Sequence, residues 1–243
     1  MNFYINKLTG DLKTGILTDV RPMKPTKKKT GGYRSVIIFL NRRCPVNCPT
    51  CNAGVSAGTG GELTPSWLSA FFPRLRDVEC PGYIIWTGGE PFLSIESLAH
   101  GIALASGAGV KGRGVKTFHS EILTAGAWFP GPGTAAGNRK TYLERLVGRG
   151  EFSLRVSLDA EHQETVPVSR IVALIREADR LGIDVNFTLR EIPGADPALS
   201  PASSLETIKR ELPDFAARNE SRSRWFHSIP HMPPARANSS KET

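Results

Sequence analysis

The sequence predicts an α/β protein in which a parallel sheet or barrel is covered on its outside by helices. Three observations carry that expectation. Short apolar runs rich in strand formers recur from Tyr33 onward, segments with helical spacing fall between them, and Gly, Pro and small polar residues mark the junctions. Repeated strand–helix units pair their strands in parallel, because each helix carries the chain back across the sheet. In such folds the chemistry gathers at the C-terminal ends of the strands.

The first 34 residues are polar and poorly periodic. Asn2 to Thr18 suits a short hairpin around Thr9-Gly10-Asp11, and Pro22 to Gly32 reads as a basic loop. Ser35 to Leu40 is the first apolar strand. The cysteine segment follows, then a loop rich in Gly, Ala and Ser from Asn52 to Gly61. Thr64-Pro65 has the form of an N-cap with proline at the first helical position. Trp67, Leu68, Phe71, Phe72 and Leu75 continue that helix, with Pro73 expected to kink or end it. Tyr83 to Thr87 is the second strand, Ser94 to Ala105 a helix and His119 to Thr124 the third strand. Asn138 to Val147 is a helix with Tyr142, Leu143, Leu146 and Val147 on its apolar side. Phe152 to Leu158 is the fourth strand. Val168 to Leu181 is the clearest amphipathic helix, closed by Gly182. Val185 to Leu189 is the fifth strand, Leu205 to Phe215 one further helix, and Trp225 to Ile229 a short sixth strand.

The composition is that of an ordinary globular chain: 243 residues, 40% hydrophobic and 22% charged, enough for one sizeable core. There is no run of about 18 apolar residues, so no membrane span is expected. Met1 to Lys13 lacks a basic segment followed by an apolar stretch, so the expectation is a cytoplasmic protein. The net charge of +8 is spread over Lys24, Lys27, Lys28, Lys29, Arg34, Arg222, Arg224 and Arg236 among others. No stacking motif accompanies it, so it reads as a solvated surface and a basic loop, and a nucleic-acid partner is not expected.

Of four cysteines, three fall within eight residues: Cys44-Pro-Val-Asn-Cys48-Pro-Thr-Cys51. In a cytosolic chain such clustering points to metal or redox chemistry rather than to disulfides. Thiolates are soft ligands for iron–sulfur clusters or zinc. Iron–sulfur clusters usually take four cysteines, so three leave one iron of a four-iron cluster with an open position. Structural zinc completed by one of His100, His119, His162, His227 or His231 is an alternative, as are three buried thiols without metal.

Cys-x3-Cys-x2-Cys after a first strand resembles the signature of the radical S-adenosylmethionine (SAM) superfamily, in which the open iron chelates the amino and carboxylate groups of SAM. One departure is Thr50, where the family commonly has an aromatic residue near the adenine. Trp86-Thr87-Gly88-Gly89-Glu90-Pro91 resembles the family's GGEP motif, whose backbone binds the SAM ammonium. An ammonium only donates, so it needs oxygen acceptors, and glycines let a backbone approach closely. Ile122-Leu123-Thr124-Ala125-Gly126 resembles a third-strand segment in which Ala125 replaces an asparagine. Ser157 and Asp159 resemble a Ser-x-Asp stretch near the SAM ribose or carboxylate, and alternation puts both on one face of the strand. Arg190 suits the SAM carboxylate through its two-pronged guanidinium, with surface pairing to an acid as its alternative. His227, His231 and Arg236 resemble a region that meets substrate in some relatives. Cys80, ahead of the second strand, reads as structural.

The resemblance covers Tyr33 to Ile229. It implies a partial (β/α)6 TIM-like barrel over residues 35–231, an N-terminal extension over 1–34 and a loose tail over 232–243. The implied metal ligands and catalytic residues are Cys44, Cys48 and Cys51. Gly88, Gly89, Glu90, Pro91, Ser157, Asp159 and Arg190 are the implied SAM-binding residues. The implied reaction is reductive cleavage of SAM by a [4Fe-4S] cluster to a 5′-deoxyadenosyl radical, which removes hydrogen from a ribosomal peptide or a small natural-product precursor. The implied electron donor is a flavodoxin or ferredoxin. With Cys80 alone outside the triplet, the chain has too few cysteines for a second cluster. The alternatives are a non-catalytic iron–sulfur or zinc protein on the same fold, and a glycyl-radical activating enzyme.

Overall fold

The computed structural model describes residues 3–4, 35–51, 61–77, 82–107, 117–131, 141–220 and 226–228. Their strands are β1 (Phe3–Tyr4), β2 (Ser35–Phe39), β3 (Tyr83–Thr87), β4 (His119–Thr124), β5 (Phe152–Leu158), β6 (Val185–Leu189) and β7 (Phe226–Ser228). Their α-helices are α1 (Pro65–Asp77), α2 (Ile95–Ala105), α3 (Thr141–Val147), α4 (Ala160–Gln163), α5 (Val168–Arg180), α6 (Pro201–Glu211) and α7 (Pro213–Glu220).

The strands lie side by side in chain order, and every neighbouring pair is parallel. Parallel crossovers are right-handed. An order with no reversal therefore stacks the helices on one face and curls the sheet around the other, giving a partial barrel. Apolar residues of one strand parity face the helices. Ile84, Trp86, Ile122, Leu154 and Phe187 are fully buried there, in one core with Phe72 of α1, Ile102 of α2 and Leu174 of α5. The opposite parity lines the concave side, where Ile37, Phe39, Ile85, Leu123, Arg155 and Asn186 are only partly buried.

The strands predicted from the sequence recur within a residue or two. The N-terminal segment departs from expectation: Phe3–Tyr4 pairs in parallel with β2 and adds a strand to the sheet. The hairpin and the basic loop lie outside the described residues, as do Asn52 to Gly60, Cys80, Trp225, His231 and Arg236; of His227 only the backbone is described. Thr64 caps α1 as expected, its hydroxyl accepting from Trp67 N at 3.2 Å. Pro73 does not end that helix: it and Ser69, whose carbonyl loses its helical partner, are both exposed, so that oxygen is open to solvent. The single helix expected over Leu205 to Phe215 is two, α6 and α7. Pro213 forces Leu212 out of helical geometry, to φ −138° and ψ 62°. Val147, read as apolar-facing, is 43% exposed, while Leu143 and Leu146 are buried. The one-turn helix α4 was not anticipated.

Gly101 in α2 shows how tightly the helix layer sits. A Cβ there would lie 2.5 Å from the Trp86 ring. That ring cannot yield, since it is fully buried, stacks on Phe72 and donates from Nε1 to Ser120 Oγ at 3.1 Å. Alanine is intrinsically better than glycine in a helix by about 1 kcal/mol, but overpacking costs about 1–3 kcal/mol. Gly101→Ala is therefore expected to destabilise the protein by up to about 2 kcal/mol in urea unfolding. A gain in stability would contradict the packing.

Candidate functional site

The cysteine loop leaves β2 alongside the glycine turn that leaves β3, and the two backbones are stitched together beyond the strands. Leu40 N donates to Thr87 O at 2.8 Å, Gly89 N to Asn41 O at 2.9 Å, and Glu90 N to Arg43 O at 2.7 Å. Asn41 adds its side chain: Nδ2 donates to Glu90 O (3.0 Å) and Ser94 Oγ (2.8 Å), and Oδ1 accepts from Arg43 N (3.0 Å). A Cβ on Gly89 would lie 1.9 Å from Arg43 O, and one on Gly88 would lie 2.5 Å from Asn41 O, with Gly88 at φ +140°. Only glycine fits at both positions. The sequence reading assigned these glycines a close approach to SAM. The structure shows that they also make a close approach within the chain, to the limb that leads into Cys44.

Glu90 locks the turn to the next strand. Its buried carboxylate accepts from Thr124 Oγ1 (2.8 and 2.9 Å), Ala125 N (3.1 Å) and Phe92 N (3.4 Å). Thr124 Oγ1 in turn accepts from Gly126 N (3.0 Å) and Trp128 Nε1 (3.1 Å). The Thr124-Ala125-Gly126 segment thus acts through its backbone and one hydroxyl, neither of which needs the asparagine that Ala125 replaces. Burial pushes the Glu90 carboxyl up to about 7, against the pull of the hydrogen bonds from Thr124 and from backbone amides. Pro91 starts the one-turn 3-10 helix Pro91–Ser94 that leads into α2.

Cys44, Cys48 and Cys51 are free thiols of intermediate burial. Cys51 N donates to Cys48 O at 3.2 Å, closing a turn, and Asn47 takes the left-handed conformation (φ 53°) that bends the loop between the first two cysteines. Burial pushes the Cys48 thiol up to about 12, reinforced by the charges of Asp159, Cys44, Cys51 and Glu161. Burial also raises Cys44, partly offset by a hydrogen bond from the Val46 backbone. Metal ligation requires thiolates, and three thiolates here would repel one another and the acids around them. A polycationic centre removes that repulsion, so the donor set fits an iron–sulfur cluster. Among the described residues no three metal-ligating side chains close on a single point, so a mononuclear ion would require the loop to move.

The ends of β5 and β6 complete the rim. Asp159 caps α4, its Oδ1 accepting from His162 N (3.1 Å) and pairing with His162 Nδ1 (2.8 Å). The other ring nitrogen, Nε2, lies 3.5 Å from Cys48 Sγ. Burial acts to raise the Asp159 carboxyl, but the His162 hydrogen bond and the Arg190 charge prevail and hold it below the usual range. Arg190 Nη2 pairs with Glu161 (2.9 Å) and Asp159 (3.4 Å), and Nη1 donates to Thr50 O (3.3 Å) and Oγ1. Glu161 Oε2 accepts from Thr50 Oγ1 (2.6 Å) and N (3.3 Å). Thr50 therefore ties the cysteine loop to both strand ends. Ser157 lies one side-chain layer below Asp159 on the concave face, as expected of their spacing.

Every candidate residue from Cys44 to Arg190 thus lies at or just below the C-terminal edge of the sheet. Sequence reading missed Asn41 and Glu161 as members of the site, and named His162 only as one of five histidines that could complete a zinc site. Asp159-x-x-His162 carries the spacing of an N-cap with its third helical residue, which was a usable signal. Nothing in the sequence marks Asn41.

No protein-family model matches the chain, and no curated protein does. Solved structures are similar to it. Native anSMEcpe with bound AdoMet aligns with a TM-score of 0.53 at 14% identity, covering 74% of this chain and 50% of that one. The same protein with AdoMet and the Kp18Cys peptide gives a TM-score of 0.54 at 14% identity, covering 86% and 54%. With the Cp18Cys peptide the values are 0.51 and 15%, covering 74% and 48%. The chain shares its fold with the matching half of anSMEcpe. The chain spans about half the length of these anSMEcpe structures.

Glu90 yields a test with a definite sign. Its carboxyl titrates at about 7 in the fold and near 4.5 when exposed, so the native state holds that proton more tightly. The stability so contributed is complete below about pH 4.5 and is lost as pH rises through about 7. Glu90→Gln does not titrate. The stability of the variant minus that of the parent should therefore grow between those two pH values in urea unfolding of the metal-free protein. A difference independent of pH would contradict the buried carboxyl.

Proposed function

We propose that the chain is a radical SAM enzyme, with Cys44, Cys48 and Cys51 holding a [4Fe-4S] cluster. The observation that carries this reading is the stitching of the cysteine loop to the Gly88–Pro91 turn at the C-terminal edge of a partial barrel. The anSMEcpe fold, seen elsewhere with AdoMet bound, supports it.

When bound, the cluster supplies the electron for reductive cleavage of SAM to methionine and a 5′-deoxyadenosyl radical. The chain's own part is placement. The Gly88–Gly89 backbone holds the cysteine limb and offers carbonyl acceptors for the SAM ammonium. Ser157 and Asp159 face the concave side, where a ribose diol would lie. Arg190 balances Asp159 and Glu161, so the rim carries no uncompensated cation. His162 sits against Cys48 with its ring orientation fixed by Asp159. Core packing behind the strands keeps this rim rigid and limits water on the helix side.

The substrate class we propose is a ribosomal peptide or a small natural-product precursor. The peptide complexes of anSMEcpe support the first, with this chain spanning about half of that protein. A flavodoxin or ferredoxin would deliver the electron, in the cytoplasm. The described residues contain no helix long and apolar enough to cross a membrane.

A second reading has one observation in its favour. His162 Nε2, 3.5 Å from Cys48 Sγ, could complete a zinc site with the three cysteines. One set of measurements separates the two. Protein reconstituted anaerobically should contain iron and sulfide, and with dithionite and SAM it should release 5′-deoxyadenosine. Cys44→Ala should abolish that release. Zinc without iron or sulfide, or a fully loaded protein that leaves SAM intact, would overturn the proposal.

A further inference from the structure

The concave face carries a second arrangement of charge, below the cysteine loop. One wall, on β2 to β4, is apolar: Ile37, Phe39, Ile85 and Leu123. The facing wall, on β5 and β6, is polar: Arg155, Ser157, Asn186 and Thr188. Glu121 of β4 lies between them, opposite Ser153, while Arg155 lies opposite Leu123. Arg155 is thus one side-chain layer nearer the C-terminal edge than Glu121.

Arg155 Nη2 meets Glu121 Oε2 at 2.6 Å. The Tyr83 hydroxyl lies beside the pair, and burial together with the Glu121 charge raises it. The pair is unequally covered: the Glu121 side chain is 1% exposed and that of Arg155 is 19% exposed. On the concave side Arg155 is therefore the more accessible member of the pair. Among the described residues, Glu121 Oε1 and Oε2, Arg155 Nε and, on the neighbouring strand, Thr188 Oγ1 are buried without a well-aligned hydrogen-bond partner. A buried donor left so is costly, and a guanidinium can only donate. Its fork matches a planar carboxylate, which it binds through two parallel hydrogen bonds.

We propose that Arg155, positioned by Glu121, binds a carboxylate of the substrate, while the apolar wall takes an aliphatic or aromatic part of the same molecule. An amino-acid residue at a peptide's C-terminus and a free hydrophobic carboxylic acid share that chemistry. Asp159, at the rim, lies four residues further along β5, roughly 13 Å away at strand spacing. A ligand anchored at Arg155 thus extends toward the cysteine loop. The inference rests on the proposed function only in calling that ligand the substrate.

The test uses the cluster-loaded full chain, with and without SAM, and a matched pair of probes: N-acetyl-L-leucine and N-acetyl-L-leucinamide. These share the apolar side chain and differ only in carboxylate against amide. Binding is read by calorimetry or ligand-observed NMR. The acid should bind at least about tenfold more tightly than the amide, the worth of one charge-assisted contact. Arg155→Met should erase the preference and Arg155→Lys should retain part of it. Glu121→Leu combined with Arg155→Met removes both charges together, leaving none buried and unpaired, and should also show no preference. A free acid that binds where N-acetyl-leucyl dipeptide acids do not would assign the carboxylate to a small molecule, and the reverse to a peptide; either supports the site. Equal binding of acid and amide, a preference that survives Arg155→Met, or displacement of the acid by SAM itself would overturn it. Iron content and SAM binding, measured on the same samples, keep the two proposals apart. A protein that takes up no iron yet selects the acid through Arg155 sinks the proposed function alone.

Discussion

The site depends on a contact between two stretches of backbone. Gly88 and Gly89 lie so close to Asn41 and Arg43 that no side chain fits between them. This contact extends the β2–β3 pairing beyond the strands and fixes where the cysteine loop begins. Glu90 then ties the same turn to β4 through Thr124 and Ala125. Three consecutive strand ends are thereby held as one unit, and the cysteines hang from its edge. A loop placed by backbone hydrogen bonds keeps its geometry without relying on flexible side chains, which suits ligands that must present a metal at a fixed position.

Charge around the loop is the second constraint. Cys44, Cys48, Cys51, Asp159, Glu161 and Glu90 together would place a large negative charge at one rim, where Arg190 pairs with Asp159 and Glu161. Burial and the neighbouring negative charges raise the Cys44 and Cys48 thiols. The arrangement becomes electrostatically sensible once a cationic centre sits among the sulfurs. Arg190 and Glu161 also fasten Thr50, so the loop is pinned at its far end as well as at its start. Where an aromatic residue would offer a stacking surface, this chain has a hydrogen-bonded strap.

Much of this was legible in the sequence, because the signals were local. Apolar runs with β-branched residues located β2 to β6, and the amphipathic pattern of Ile171, Leu174 and Ile175 located α5. The cysteine spacing and the Gly-Gly-Glu-Pro turn located the site. What stayed hidden depends on contacts across long separations. The partnership of Asn41 with Glu90 and Ser94 spans about fifty residues. That of Thr50 with Glu161 and Arg190 spans more than a hundred. No spacing rule reports such pairs. The break between α6 and α7 was readable from Pro213, but the apolar periodicity of Leu205, Ile208, Leu212 and Phe215 ran through it and masked it. Strand β1 is only two residues long, too short for any periodicity to show.

The central claim is that three thiolates leave one iron with a place for a ligand. Electron paramagnetic resonance of the anaerobically reconstituted, dithionite-reduced protein tests it most directly. Adding SAM should shift the spectrum, as it would if SAM ligated the vacant iron position. A spectrum unchanged by SAM, in a sample with full iron and sulfide content, would contradict the account.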